Sequence, residues 1–168
     1  MELLISQTDR LIIRNWTEDD INPYAKIIGD PEVMKYIGSG EARPFSEAVK
    51  AIEKYSGQIE QQGWARFALE LKETKELIGF CGFDHYNGEL DFGWRLSRQH
   101  WGKGLATEAA KEVFRLGVEL FHFPRIVCIS YRENTASINV IRKLEMPFEK
   151  DITLNGRSVL QFAYEKAD

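Results

Sequence analysis

"LSRQHWGKGLATEA" occupies Leu96–Ala109, and its reading decides the fold. Two glycines, Gly102 and Gly104, flank Lys103, and an alanine-rich segment starts at once. Upstream, "ELDFGWRL" (Glu89–Leu96) alternates apolar and polar residues, which predicts a strand. Downstream, Leu105, Ala106, Ala109, Val113, Leu116, Gly117 and Leu120 fall on one face of a helix. "RIVCISY" (Arg125–Tyr131) then reads as a short buried strand. Strand, helix and strand in that order imply a right-handed parallel crossover.

The flanking sequence is of another kind. "WARFALEL" (Trp64–Leu71), "ELIGFCGF" (Glu76–Phe83) and "ELDFGWRL" read as three strands, the last two joined by Asn87-Gly88. Both turn residues accept positive φ, so these strands are expected to be antiparallel neighbours. "RLIIRNW" (Arg10–Trp16) reads as the first strand. Thr17 is a candidate N-cap for a helical segment limited by Pro23 and Pro31. Ser46 is a candidate N-cap for a helix ending at Gly63. Asn134 caps a helix over "NTASINVIRKLE", and a hairpin around Asn155-Gly156 closes the chain. The expected fold is α+β: a mixed, mostly antiparallel sheet with one parallel βαβ crossover in its middle, flanked by helices. Residues 1–168 read as a single domain, a monomer or homodimer.

Composition narrows the partners. The chain is 43% hydrophobic and 29% charged, as expected of a globular protein. A net charge of −4 argues against nucleic acid, whose phosphates demand clustered Lys and Arg. No basic region followed by an apolar run opens the sequence, and no apolar run reaches the ~20 residues that span a membrane. The cytoplasm is the expected location. Cys81 and Cys128 lie in apolar strand-like runs and read as buried, reduced thiols. His85, His100 and His122 show no ligand spacing with one another or with the cysteines, so no metal is expected.

A helix start after two glycines suits an anion. About four amides there lack intrahelical partners, and the peptide dipoles add roughly half a positive charge. Gly102 and Gly104 permit close approach, and Lys103 adds charge. The G-x-x-x-x-G-K-[ST] phosphate loop is absent. A dinucleotide fingerprint fails at Thr107, where the third glycine belongs, although Glu133 could serve as its ribose-binding acid. An ordinary strand-to-helix loop is the plain alternative.

The pattern Gln99-x-x-Gly102-x-Gly104, after a strand and opening a helix, resembles the acyl-CoA diphosphate loop of the GNAT superfamily of N-acetyltransferases. "TDRLIIRNW", "PEVMKYIG", "LDFGWRL", "HWGKGLATEA" and "NTASINVIRKL" follow an order similar to its RimJ/RimL-like branch, which includes ribosomal-protein N-terminal acetyltransferases. The resemblance implies that acetyl-CoA is the co-substrate and that Gln99 and the backbone of Trp101, Gly102, Lys103, Gly104, Leu105 and Ala106 hold its diphosphate. It implies a V-shaped gap between two parallel strands, where the pantetheine arm pairs with backbone near Trp94 and Leu96 and meets Asn134. An amine then attacks the thioester directly, with no protein nucleophile and no metal. Asp91 is the candidate base, at a position where relatives more often carry Glu, and Glu89 on the same strand face is the fallback. A strand amide near Phe92 or Gly93, at a local bulge, is the candidate oxyanion donor. Ser137 resembles the serine proposed in this branch as proton donor or thiol contact. Many relatives carry a Tyr where Ile141 stands, and a Gly where Glu145 stands. Glu108 reads as a helix-dipole partner. The acceptor is expected to be a primary amine, on a small molecule or a protein N-terminus. Trp16, Tyr24, Met34, Tyr36, Phe45 and Tyr55 are available to line its pocket. An acyl-CoA-binding domain without chemistry is the rival reading.

Overall fold

The computed structural model describes residues 3–168. Among them one eight-stranded sheet is formed by β1 (Leu4–Gln7), β2 (Leu11–Arg14), β3 (Arg66–Leu71), β4 (Leu77–Tyr86), β5 (Glu89–Leu96), β6 (Arg125–Tyr131), β7 (Phe148–Leu154) and β8 (Arg157–Glu165). The strand order is β1-β2-β3-β4-β5-β6-β8-β7. β5 and β6 run parallel, joined by the expected crossover helix α4 (Leu105–Glu119); the remaining neighbours are antiparallel. The hairpins turn at Asn87-Gly88 and Asn155-Gly156 with positive φ at all four residues.

Alternation along the central strands sorts the two faces. Phe67, Cys81, Phe83 and Phe92 point to the side covered by α4, where Phe114 meets Phe92 and Gly117 lies against Phe83. A Cβ on Gly117 would come 2.6 Å from Phe83 Cζ, so glycine lets the helix lie this close. The other face carries Arg66, Phe80, Asp84, Asp91 and Arg95. Over it lie α1 (Ile21–Ile28) and α3 (Phe45–Gln62), whose Tyr24 and Tyr55 pack on Phe80. Each fully buried aliphatic or aromatic side chain here contributes roughly 1.5–3 kcal/mol.

Some expectations are corrected. "RLIIRNW" supplies the second strand, not the first; β1 precedes it at the sheet edge. Helix α3 starts at Phe45 with Pro44 at its N-cap, so Ser46 lies inside the first turn and caps nothing. Proline's fixed φ, here −74°, presets that start. Thr17 heads a short 3-10 turn (Glu18–Asp20) before α1, and its amide donates to Asp20 Oδ2 at 2.8 Å. After α5 (Thr135–Lys143), Glu145 adopts φ 60°, so the left-handed helix exit is kept on a residue that strains to hold it.

One irregularity in the sheet positions everything that follows. β5 stays in register with β4 from Gly79↔Leu96 to Tyr86↔Glu89. β6 does the same with β8, from Arg125↔Glu165 to Tyr131↔Val159. Between them, the β5–β6 ladder is reduced to the pair Asp91↔Val127. Each strand is held on its outer side, and the inner edges diverge from that bridge.

Candidate active site

The loop before α4 forms a cradle of open backbone. Gly102 and Gly104 have φ of 72° and 76°, a conformation side chains disfavour. A Cβ on Gly102 would meet nothing within 4 Å, so the glycine there serves backbone shape rather than space. Gly104 is the N-cap of α4 and brings no side chain to cap it. Among the described residues, none of the amides from Gly102 to Thr107 donates to a protein acceptor; Glu108 N is the first to do so, to Gly104 O at 3.0 Å. Those free donors sit where the helix dipole is positive. Arg10, from the β1–β2 turn, reaches over the loop, with Nη1 on Lys103 O at 2.9 Å and Nε on Glu108 Oε1 at 2.8 Å. Glu108 also accepts from Thr8 Oγ1 and from Arg10 N, so it ties the hairpin to α4 besides answering the helix dipole. Burial pushes its carboxyl up, but these hydrogen bonds together bring it below the ordinary carboxylate range.

The gap between β5 and β6 opens beside this cradle. Ser97 N donates to Ile78 O on β4 at 2.8 Å. By alternation, Arg95, Gly93 and Asp91 turn their backbone groups to β4, while Leu96, Trp94 and Phe92 turn theirs to the gap. Phe92 O is met by Cys128 Sγ at 3.1 Å, and Leu96 O by the half-exposed Trp101 indole N–H at 2.9 Å. The expected bulge at Phe92–Gly93 is absent, because the β4–β5 register is unbroken there. Gly93 therefore offers no amide to the gap. Across the gap, Asn134 Oδ1 accepts from Ser137 N at 3.3 Å and caps α5. Ser137 is half-buried in its first turn, and Ile141 is fully buried in the core. The Gln99 side chain is turned to Glu76 Oε1 at 3.0 Å.

Asp91 stands at the fork itself. Its Oδ2 accepts from Arg66 Nη2 at 2.7 Å. Burial pushes its carboxyl above the ordinary range, and the Arg66 guanidinium opposes that shift. It lines a small cleft with Tyr86, Glu89, Val127, Ile129 and Gln161. Glu89, the fallback base, is held by Arg125 Nε and Nη2, at 2.9 and 3.2 Å.

A family model described as "Acetyltransferase (GNAT) domain" matches residues 10–147. The chain belongs to the GNAT acetyltransferase family. It is an acetyl-transferring enzyme. This acetyltransferase is 35% identical over 164 residues to the uncharacterized N-acetyltransferase p20 of Bacillus licheniformis, covering 95% of this chain and 86% of that one. It is 26% identical over 141 residues to the spermidine N(1)-acetyltransferase of Escherichia coli K12, covering 83% and 74%. Its fold is shared with RimL, a ribosomal-protein alpha-N-acetyltransferase solved in complex with coenzyme A, at a TM-score of 0.80, 17% identity and coverage of 96% and 97%.

In this GNAT chain most of the residues available to an acceptor pocket are structural. Trp16, Tyr24 and Met34 are buried, and Tyr55 packs between Trp16 and Phe80. Phe45 is exposed at the start of α3. Tyr36, after α2 (Pro31–Met34), is the exception: it packs on Tyr131 at the end of β6, with ring centroids 6.2 Å apart. Cys81 and Cys128 are buried and unpaired, and burial pushes both thiols well up. Among the described residues, no cluster of three or more His, Cys, Asp or Glu could hold a metal, and no helix is long and apolar enough to cross a membrane.

Proposed function

We propose that this acetyltransferase transfers the acetyl group of acetyl-CoA to a primary amine by direct attack in a ternary complex. The observation that carries the reading is the fork: free amides at 102–107 lie beside diverging strands, with a buried carboxylate at the vertex. In this reading Gly102, Lys103, Gly104, Leu105 and Ala106 receive the diphosphate on backbone N–H groups, with Trp101 and Gln99 shaping the loop. The pantetheine arm runs along the gap-facing backbone of Trp94 and Leu96, as an added strand would. Asn134 closes the far side.

An alkylamine has a pKa near ~10, so it arrives protonated at neutral pH. Asp91 takes that proton, directly or through a water, from the cleft side of the sheet. Ser137 meets the departing sulfur from α5; a thiol with pKa near ~8.5 leaves with little help. The net charge of −4 favours a cationic acceptor, a small amine or a protein N-terminal amine. The two buried unpaired thiols suit a reducing cytoplasm.

The test is release of free thiol from isotopically labelled acetyl-CoA, with spermidine and a short peptide bearing a free N-terminus as acceptors. Label is expected on an amine nitrogen of at least one. Tight coenzyme A binding with no labelled product on either amine would contradict the reading.

A further inference from the structure

Arg66 has no counterpart among the site residues expected from the sequence. It rises from β3, two strands away from Asp91. Its register partners are Gly82 on β4 and, one strand further, Gly93 on β5. A Cβ on Gly82 would strike Ala65 O at 2.1 Å, so that glycine serves the close approach of β3 to β4; over Gly93 a trough is left, and the arginine's guanidinium lies in it. A Cβ on Gly93 would sit 3.2 Å from Arg66 Nη1. At the trough's end Nη1 donates to Gly82 O at 2.6 Å and to Asp91 O at 3.2 Å, and Nη2 to Asp91 Oδ2 at 2.7 Å. The guanidinium thus grips both the peptide and the carboxylate of Asp91. Among the described residues the other carboxylate oxygen, Oδ1, has no hydrogen-bond partner, and Asp91 lines the cleft.

A buried ion pair contributes little net stability, because both charges lose their hydration. Here the two side chains are only 13% and 15% exposed, and Gly93 leaves the guanidinium its room. We propose that Arg66 is the positioning residue for the base: it fixes the orientation of Asp91 at the fork and keeps its carboxylate charged with one oxygen offered to the incoming amine. The inference rests on Asp91 acting as the base.

The surroundings set what Arg66 has to oppose. Asp84 is Asp91's cross-strand partner on β4, held by Lys54 of α3 at 2.6 Å. Glu89 and Arg95 share the face on β5; Glu89 is taken by Arg125 of β6, and Arg95 donates to the Tyr24 hydroxyl of α1 at 2.8 Å. Tyr55 of α3, the buried Cys81 of β4 and the buried Cys128 of β6 also lie around the pair, as does Tyr24. Burial and the neighbouring Asp84 both favour a protonated Asp91, and Arg66 is the cation in direct contact that favours the charged form.

The experiment measures kcat/KM for amine acetylation against pH, with spermidine or the peptide as acceptor, beside the coenzyme A affinity from calorimetry. Arg66→Met is expected to lower kcat/KM about ten- to a hundredfold at neutral pH. Its acidic limb should move to higher pH while coenzyme A affinity stays unchanged. Arg66→Lys should recover part of the rate and of the profile. Gly93→Ala, which nudges the guanidinium without removing its charge, should show a smaller loss in the same sense. An Arg66→Met enzyme with wild-type rate and wild-type profile would overturn the inference. So would a loss that appears equally in coenzyme A affinity and that Arg66→Lys does not relieve, since that marks a folding role alone. Full activity in Asp91→Asn would instead overturn the assignment of the base, whatever the Arg66 variants do.

Discussion

Replacing Gly102 separates the charge of the cradle from its shape. The position has φ 72° and open space where a side chain's first carbon would sit, so Asp and Asn carry the same conformational cost there, about 1 kcal/mol. They have nearly the same size, and only Asp brings a negative charge. If a diphosphate sits against the free amides of 102–107, that charge comes within about 4–5 Å of it. Coulomb repulsion at about 4 Å is ~1 kcal/mol in bulk water and ~4 kcal/mol at the effective dielectric of a protein surface. The loop is exposed, so a value near the middle, about 2 kcal/mol, is expected. At 1.4 kcal/mol per decade, Gly102→Asp should bind coenzyme A roughly thirtyfold more weakly than Gly102→Asn. Calorimetric titration of both variants at low salt measures it, and added salt should narrow the gap. Pantetheine, which lacks the diphosphate, should bind both alike. Equal coenzyme A affinity for Asp and Asn would show that no phosphate approaches this loop.

Asp91→Asn should lower the acetylation rate at neutral pH about a hundredfold, with partial recovery toward the amine's own pKa near ~10, where the base is no longer needed; a constant deficit at every pH would count against it. Because burial holds the Asp91 carboxyl above its ordinary range, its contribution to stability is greatest in acid and is lost as pH rises through that folded-state value. Asp91→Asn should therefore flatten this part of the pH dependence of thermal unfolding. Glu108 acts in the opposite sense: its folded value is depressed, so the stability it contributes is present at neutral pH and is lost as pH falls through that value. Glu108→Gln should weaken that acid sensitivity, read from melting curves over a pH series. Glu145→Gly should stabilise the fold: relief of a left-handed non-glycine residue gains about 1–2 kcal/mol, and glycine's freedom in the unfolded chain returns about 0.5–1 of it. The melting temperature should rise by a few degrees, about 1–4 °C; a fall would show that the Glu145 side chain is needed at the helix exit.

What the sequence displays is local, and what it conceals is set by distant neighbours. The crossover and the Asn87-Gly88 hairpin are written in periodicity and turn chemistry within a few residues. The cradle is legible for the same reason, since two glycines before an amphipathic run form a local signal. β1 escapes because four residues at a sheet edge, with Leu4 exposed, carry no usable alternation. The α3 start is misplaced by sequence reasoning because Pro44 stands two residues ahead of Ser46, and its preset φ prevails over the serine hydroxyl. The divergence of β5 from β6 is not readable, because each strand's pattern reports burial and not which inner edge is left unpaired. Arg66 escapes for a related reason. Its tie to Asp91 spans 25 residues and becomes visible only once the register sets Arg66, Gly82 and Gly93 in one row. The bare glycines within two apolar strands are the available hint. In sequence, Gly93 reads equally as a bulge or a packing position, and the bulge reading leads to an oxyanion site that the unbroken ladder does not provide.

The most direct measurement is a crystal structure of the protein with coenzyme A bound. The diphosphate oxygens should lie about 2.7–3.2 Å from backbone nitrogens between Gly102 and Thr107, with the pantetheine arm in the gap beside Trp94 and Leu96. A diphosphate bound elsewhere, or a loop whose amides turn inward to protein acceptors, would contradict it.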